Sequence, residues 1–234
     1  MTASGLDVYS LGAKFGKVLL VVTLGLWLGI GLTGCQQSAQ VPDQVAPTAA
    51  PPAPVTPAEP ATTTKPAEGD MTTITLVTDK GDIKLQLFDE DTPITAGSFL
   101  LLSEEGFYNG ITFHRVEPGF VIQGGDPKGN GTGGPGFTIP DEVRPNLKHD
   151  RGMLSMAKTS APNTGGSQFF VCLGGPNVTG HLDMKHTVFG KVLEGMDVVD
   201  QIRKGDKILE ARVDTVSPHA QAARDAAKAG RVPN

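Results

Sequence analysis

The sequence predicts a mainly β domain, a closed or sandwiched sheet accompanied by two helices. Three observations carry this reading. Residues 71–217 hold a series of short runs in which apolar and polar residues alternate, Gly-rich turns separate the runs, and only two stretches carry helix signals. Of the 234 residues, 30 are Gly and 18 are Pro, above ordinary usage, so turns are many.

The elements follow in order. Ile74 and Leu76 alternate with Thr73 and Thr75, Asp79-Lys80-Gly81-Asp82 reads as a turn, and Ile83, Leu85 and Leu87 resume the alternation, a hairpin signal. Thr92-Pro93 reads as an N-cap followed by Pro at the first helical position. That helix runs through Phe99, Leu101 and Leu102 and stops at Gly106. After the Asn109-Gly110 turn, short strands are predicted over 111–116, 120–124, 152–157, 168–173 and 187–192. A second helix is predicted over 196–204, with Met196, Val199 and Ile202 on one face and Gly205 at its end, and a last strand over 208–216.

The segments outside 71–217 differ in kind. Residues 1–34 read as an export signal: Lys14 and Lys17 precede an apolar run from Val18 to Leu32. Those 15 residues would span roughly 22 Å as a helix, short of the ~30 Å hydrocarbon core, so a signal core is favoured over a permanent span. Leu32-Thr33-Gly34-Cys35 resembles the bacterial lipobox, in which the signal is cut before a Cys that then carries lipid. Cys35 is therefore the expected lipidation site, and several acyl chains, palmitate among them, would hold the protein stably on a membrane. Residues 35–70 form a Pro/Ala-rich disordered tether. Positions 36–70 hold eight prolines and eight alanines, with no aromatic residue and no Leu, Ile or Met, so nothing there builds a core. Extended, this tether reaches on the order of 100 Å. Residues 218–234 are a polar tail, in which 219–228 has helix-forming composition but too little length and apolar surface to be stable alone; no function is assigned to it.

Composition also excludes. With 20 basic against 25 acidic side chains the net charge is −5, which argues against a nucleic-acid partner. Two cysteines, Cys35 and Cys172, allow neither a disulfide framework nor a Cys-rich zinc site. The spacing of His181, Asp183 and His186 fits no closed zinc pattern, so no metal and no cofactor are expected.

Five ordered blocks carry a closer resemblance. They are Phe113-His114-Arg115-Val116 with Pro118-Gly119-Phe120-Val121-Ile122-Gln123-Gly124-Gly125-Asp126; Asn130-Gly131-Thr132-Gly133; Gly166-Ser167-Gln168-Phe169-Phe170; Leu182-Asp183; and Lys185-His186-Thr187-Val188-Phe189-Gly190. In order and spacing they resemble the cyclophilin family of peptidyl-prolyl isomerases, across essentially all of 71–217. The resemblance implies a closed eight-stranded antiparallel β-barrel capped by two helices. It also implies rotation about Xaa-Pro bonds as the activity, and proline-containing peptides and unfolded or envelope proteins as partners of a monomer.

The chemistry such a reaction needs is modest. Amide resonance sets a barrier near 18–20 kcal/mol, and no bond is made or broken. A cationic donor aimed at the prolyl nitrogen of the twisted amide binds that state better than either planar one, and arginine suits the role. By resemblance that residue is Arg115, which shares strand parity with Ile111 and Phe113. Phe120 and Gln123 join it as catalytic positions. Val121, Phe170, Leu182 and His186 match the pocket for the proline ring. Gln168 matches a position that binds the substrate backbone, and Gly131 and Ala157 match positions whose small size lets an extended peptide pass. Alternation in Gln168-Phe169-Phe170-Val171-Cys172 puts Phe170 on the face of Gln168 and Phe169 on the other. From the residues alone, Gln123 and Gln168 read equally well as satisfied structural amides. His114 has the opposite parity to Arg115 and reads as structural. Three departures from the family pattern stand out: His181 where an aromatic residue is common, Lys158 or Thr159 where an Asn is usual, and Glu117 where an apolar residue is frequent.

Overall fold

The computed structural model describes residues 68–234; the signal over 1–34, Cys35 and nearly all of the tether lie outside the described residues. Among the described residues, ten strands and four α-helices follow in chain order. The hairpin β1 (Thr72–Thr78) and β2 (Gly81–Leu87) leads to α1 (Pro93–Glu104), β3 (Arg115–Glu117), β4 (Val121–Gly124) and β5 (Phe137–Thr138). Next come β6 (Met153–Met156), β7 (Phe169–Cys172), α2 (Pro176–Thr179), β8 (Val188–Glu194) and α3 (Met196–Gln201). β9 (Ile208–Thr215), α4 (Ala220–Gly230) and β10 (Val232–Pro233) close it.

Eight strands form one antiparallel sheet in the order β3-β4-β7-β6-β8-β2-β1-β9, while β5 and β10 pair with each other in a second, two-stranded sheet. The expectation of a closed barrel is corrected here: the sheet curls, but β3 and β9 are its two edges and do not pair as strands. The physical reason lies in the segment before β3. Residues 110–113 turn across the seam, where Gly110 N–H donates to Ile208 O at 2.7 Å and Phe113 N–H to Asp206 O at 2.8 Å. These backbone bonds use up donors without extending a regular ladder, so the sheet remains an open half-barrel. The strand predicted over 111–116 accordingly shortens to Arg115–Glu117.

Alternation explains the core. Ile74, Leu76, Ile83, Leu85 and Leu87 are all buried on the inner face of the β1–β2 hairpin. Phe99 of α1 is their centre, with ring centroids 4.8 Å from Tyr108 and 5.3 Å from both Phe169 and Phe189. The outer face of β1 is also covered: Thr73 and Thr75 are buried, and Thr75 donates to Asp214 at 2.6 Å.

Helix α1 begins at Pro93 as the sequence predicts, but Thr92 does not cap it. The Thr92 hydroxyl donates back to Phe88 O, and the cap comes from Glu142. Its carboxylate accepts from Ile94 N–H at 3.2 Å, Thr95 N–H at 2.7 Å and the Thr95 hydroxyl at 2.8 Å. A carboxylate satisfies more orphan donors than one hydroxyl and also complements the helix dipole. Helix α3 ends at Gln201, earlier than 204, with Val199 and Ile202 buried against the core.

The polar tail does form a helix, and that helix is docked. Ala220, Ala223 and Ala227 are the buried residues of α4, which packs on α1. Gly97 allows the approach, because a Cβ there would come well inside 3.0 Å of the Ala223 carbonyl oxygen. An Arg224–Glu104 ion pair at 2.5 Å flanks the contact.

Candidate active site

β7 divides the interior. Phe169 and Val171 point into the main core, whereas Phe170 and Cys172 form a separate small cluster with Val121, against which Phe120, Ala157 and Leu182 pack. This second cluster floors a cavity of about 350 Å³. Eight of the ten sequence-predicted site residues line it: Arg115, Phe120, Val121, Gln123, Ala157, Phe170, Leu182 and His186. Gly131 and Gln168 line an adjoining cavity of about 540 Å³, which shares Gln123, Ala157 and Lys158 with the first.

The elements place these side chains. In the antiparallel register Arg115 of β3 faces Gln123 of β4, and Gln123 faces Phe170 of β7. Cross-strand neighbours on one face sit close, so the three project together. Phe120 follows the Gly119 turn, whose φ of +74° is easy only for glycine. Its ring stacks on His181 with centroids 5.7 Å apart, and the Arg115 guanidinium lies 5.6 Å from its centroid. His181, the departure noted above, thus serves as the flat support of Phe120.

Arg115 is held from two sides. Nε and Nη2 donate to Glu117 Oε1 at 3.0 and 2.7 Å, and Nη1 donates to Gln123 Oε1 at 3.3 Å. With side-chain exposures of 41% and 53%, the Arg115–Glu117 pair contributes under about 1 kcal/mol to stability. Its effect is orientation: it fixes the guanidinium plane and leaves Nη1 with a neutral acceptor only. The two glutamines engage one another. Gln123 Nε2 donates to Gln168 Oε1 at 3.0 Å, and Gln168 Nε2 donates to Gly131 O at 3.1 Å and Gly133 O at 2.8 Å. Both amides are therefore satisfied inside the protein, and Gln168 ties the 131–133 loop to the groove wall. Asp126 holds the other side of that loop, accepting from Lys128, Asn130 and Gly131 N–H. Burial would raise the Asp126 carboxyl, but these backbone donors hold it below the usual carboxylate range.

One residue beneath the cavity escaped sequence reading. His149 lies flat under Phe170, ring centroids 5.9 Å apart, and its Nδ1 is 2.8 Å from Asp183 Oδ1. It carried no local signal, since its partners Asp183 and Phe170 are distant in sequence. Burial lowers the His149 pKa despite the opposing pull of Asp183. His186 stands edge-on to Phe170 at 5.6 Å, with Nδ1 donating to Met156 O at 3.1 Å, and burial lowers its pKa as well. Lys158 joins both cavities while its ammonium donates to Ala161 O and pairs with Asp141 at 3.5 Å. Cys172 is buried and its thiol is pushed up to about 12, chiefly by burial, which leaves it un-ionised. Asp183 is turned onto His149 and Lys148.

The arrangement is an apolar floor with one oriented cation at its rim. It offers an aliphatic ring a place to sit and a developing lone pair a directed donor.

Comparison with known proteins agrees with this geometry. The family model for cyclophilin type peptidyl-prolyl cis-trans isomerase/CLD matches residues 73–219. A peptidyl-prolyl cis-trans isomerase of Synechococcus elongatus is 51% identical over 147 residues, 62% of this chain and 98% of that protein. One from Helicobacter pylori is 53% identical over 137 residues, 57% of this chain and 82% of that protein. Among solved structures, a Cryptosporidium parvum cyclophilin type isomerase in the presence of the dipeptide Ala-Pro is similar at TM-score 0.56 and 34% identity. The match covers 62% of this chain and 99% of that one. On fold, site and sequence together, the chain belongs to the cyclophilin family and is a peptidyl-prolyl cis-trans isomerase.

Proposed function

We propose that Arg115 carries the isomerisation, with the substrate's proline ring on the floor made by Phe120, Val121, Phe170, Leu182 and His186. The observation that supports this most is the guanidinium at the cavity rim, oriented by Glu117 and Gln123. As the Xaa-Pro amide twists, its nitrogen regains a lone pair, and the fixed donor meets that state better than either planar one. Gln123 contributes by holding Nη1, Gln168 by holding the loop at Gly131, and Ala157 by leaving room beside the floor. No ionisable nucleophile takes part.

The wider setting rests on the N-terminal sequence. The chain is an exported lipoprotein, cut before Cys35, acylated there, and held on the cell envelope (periplasmic or outer surface) by residues 35–70. Its substrates are proline-containing segments of exported proteins that fold within reach of that tether.

The test is proline isomerisation on a short peptide. Arg115→Ala should lower kcat/KM by about 10²- to 10³-fold, the usual cost of one preorganised donor, with a much smaller loss of peptide binding. Arg115→Lys should rescue only in part. A folded Arg115→Ala chain with near wild-type turnover overturns the mechanism and favours a peptide-binding module. For the setting, Cys35→Ala should leave an unprocessed precursor; normal processing and membrane retention would refute the lipid anchor.

A further inference from the structure

The family match ends at residue 219, yet the chain does not leave the domain there. After α4, residues 231–234 return to the substrate groove. Val232 and Pro233 pair with Thr138 and Phe137 of β5, and Asn234 N–H donates to Gly136 O at 3.2 Å. The Arg231 guanidinium lies 4.2 Å above the Phe137 ring, and its Nε and Nη2 are buried without a hydrogen-bond partner. Such a geometry is a clamp: the aromatic face takes the place of the missing acceptors and pins the end of α4 to β5. The result is that Asn234 stands in the lining of the 540 Å³ cavity, together with Phe137 and Thr138. That cavity runs on from the proline floor through Gln123, Ala157 and Lys158.

We propose that residues 231–234 form a specificity wall of the groove, with Asn234 selecting an amide- or carboxylate-ended side chain at a position flanking the proline. The lining favours that chemistry. Thr138 adds a hydroxyl to the lining and Lys158 is its only charged side chain, while the hydroxyls of Thr132, Thr159 and Thr164 are engaged with Asn130, with each other and with Ala161 O. The Gln168 amide is already spent on Gly131 and Gly133. Among the described residues the Asn234 side chain has no hydrogen-bond partner, and it is exposed, so its donors and acceptor are open to a ligand. An amide- or carboxylate-ended side chain in this cavity would gain a hydrogen bond with Asn234 that an apolar one would not. The proposal rests on the reading that substrate lies across the floor beside Arg115.

The experiment compares the full-length chain with Asn234→Ala and with a chain ending at Gly230. Proline peptides carry Gln, Glu or Leu at each place flanking the proline, and kcat/KM is measured for every pair. At one flanking place the unaltered chain should prefer Gln or Glu over Leu. Both variants should lower that preference about three- to tenfold, the value of one hydrogen bond made or lost. Asn234→Ala leaves α4, β5 and the clamp intact, so misfolding does not confuse the result. A preference that does not change overturns the proposal. So does an equal rise for all peptides, which would make the strand a cover rather than a selector. Arg115→Ala in parallel separates the two readings: it should depress every peptide alike and leave the ratio. Retained turnover in that variant would refute the role of Arg115 and not the wall.

Discussion

Replacing Gly97 by Ala should destabilise the chain, although in an isolated helix the same change is favourable. Gly97 lies inside α1, where Gly→Ala ordinarily gains up to about 1 kcal/mol. Here the new Cβ would enter well inside 3.0 Å of the Ala223 carbonyl and come within 3.1 Å of Arg224 N. Those are backbone atoms of α4, and no rotamer change can move them. α4 must back away from α1, and its buried residues are alanines whose contact depends on close approach. Losing much of three buried methyl contacts, at about 0.8 kcal/mol each, costs roughly 2 kcal/mol, and residual crowding adds to it. Set against the propensity gain, the net loss is about 1–2 kcal/mol. For a domain of this size that is a fall in Tm of about 2–8 °C. The control is the same substitution in a chain ending at residue 219, the limit of the family match. With α4 gone the clash is gone, and Gly97→Ala should raise Tm instead. Thermal unfolding by circular dichroism of the four proteins reads the sign directly. Equal destabilisation in the long and short chains would refute the account, because Gly97 would then be needed for something other than α4.

Three further outcomes are expected. Glu142→Ala removes the acceptor of three donors at the start of α1 and should cost about 2–3 kcal/mol in denaturant unfolding; a change under about 0.5 kcal/mol would mean water caps the helix as well. Cys172→Ala should keep most turnover, with about 1 kcal/mol of stability lost, since the un-ionised buried thiol takes no part in rotation about an amide; a folded but inactive variant would contradict this. His114, His149 and His186 all have pKa values lowered by burial, so the unfolded chain binds more protons in acid. The contribution of these histidines should therefore be constant above their ordinary value near 6.5, and fall as pH drops from there toward the lowered native values; a Tm that stays level from about pH 7 to 5 would count against it.

Much of the fold and of the site is legible in the sequence, for a physical reason. Strand alternation is set by the backbone, so the separation of Phe169 from Phe170, and the inner faces of β1 and β2, follow from local order alone. The spacing of the Phe113–Arg115, Phe120–Gln123 and Gln168–Phe170 blocks likewise leads to most of the eight predicted residues that share the floor cavity. What the sequence does not encode locally is decided by long-range contact. Glu142 reaches α1 across 47 residues and displaces Thr92 from the cap. His149 finds Asp183 and Phe170 only once the strands are paired. The two glutamines, ambiguous as letters, turn out to be satisfied within the protein and joined by one hydrogen bond, because antiparallel register sets Gln123 beside β7. The open seam depends on how residues 110–113 spend their backbone donors. α4 is the sharpest case: a helix whose buried side is only alanine looks solvated in sequence. Its docking is decided instead by the absence of a Cβ at Gly97, a feature that matters only when two backbones meet.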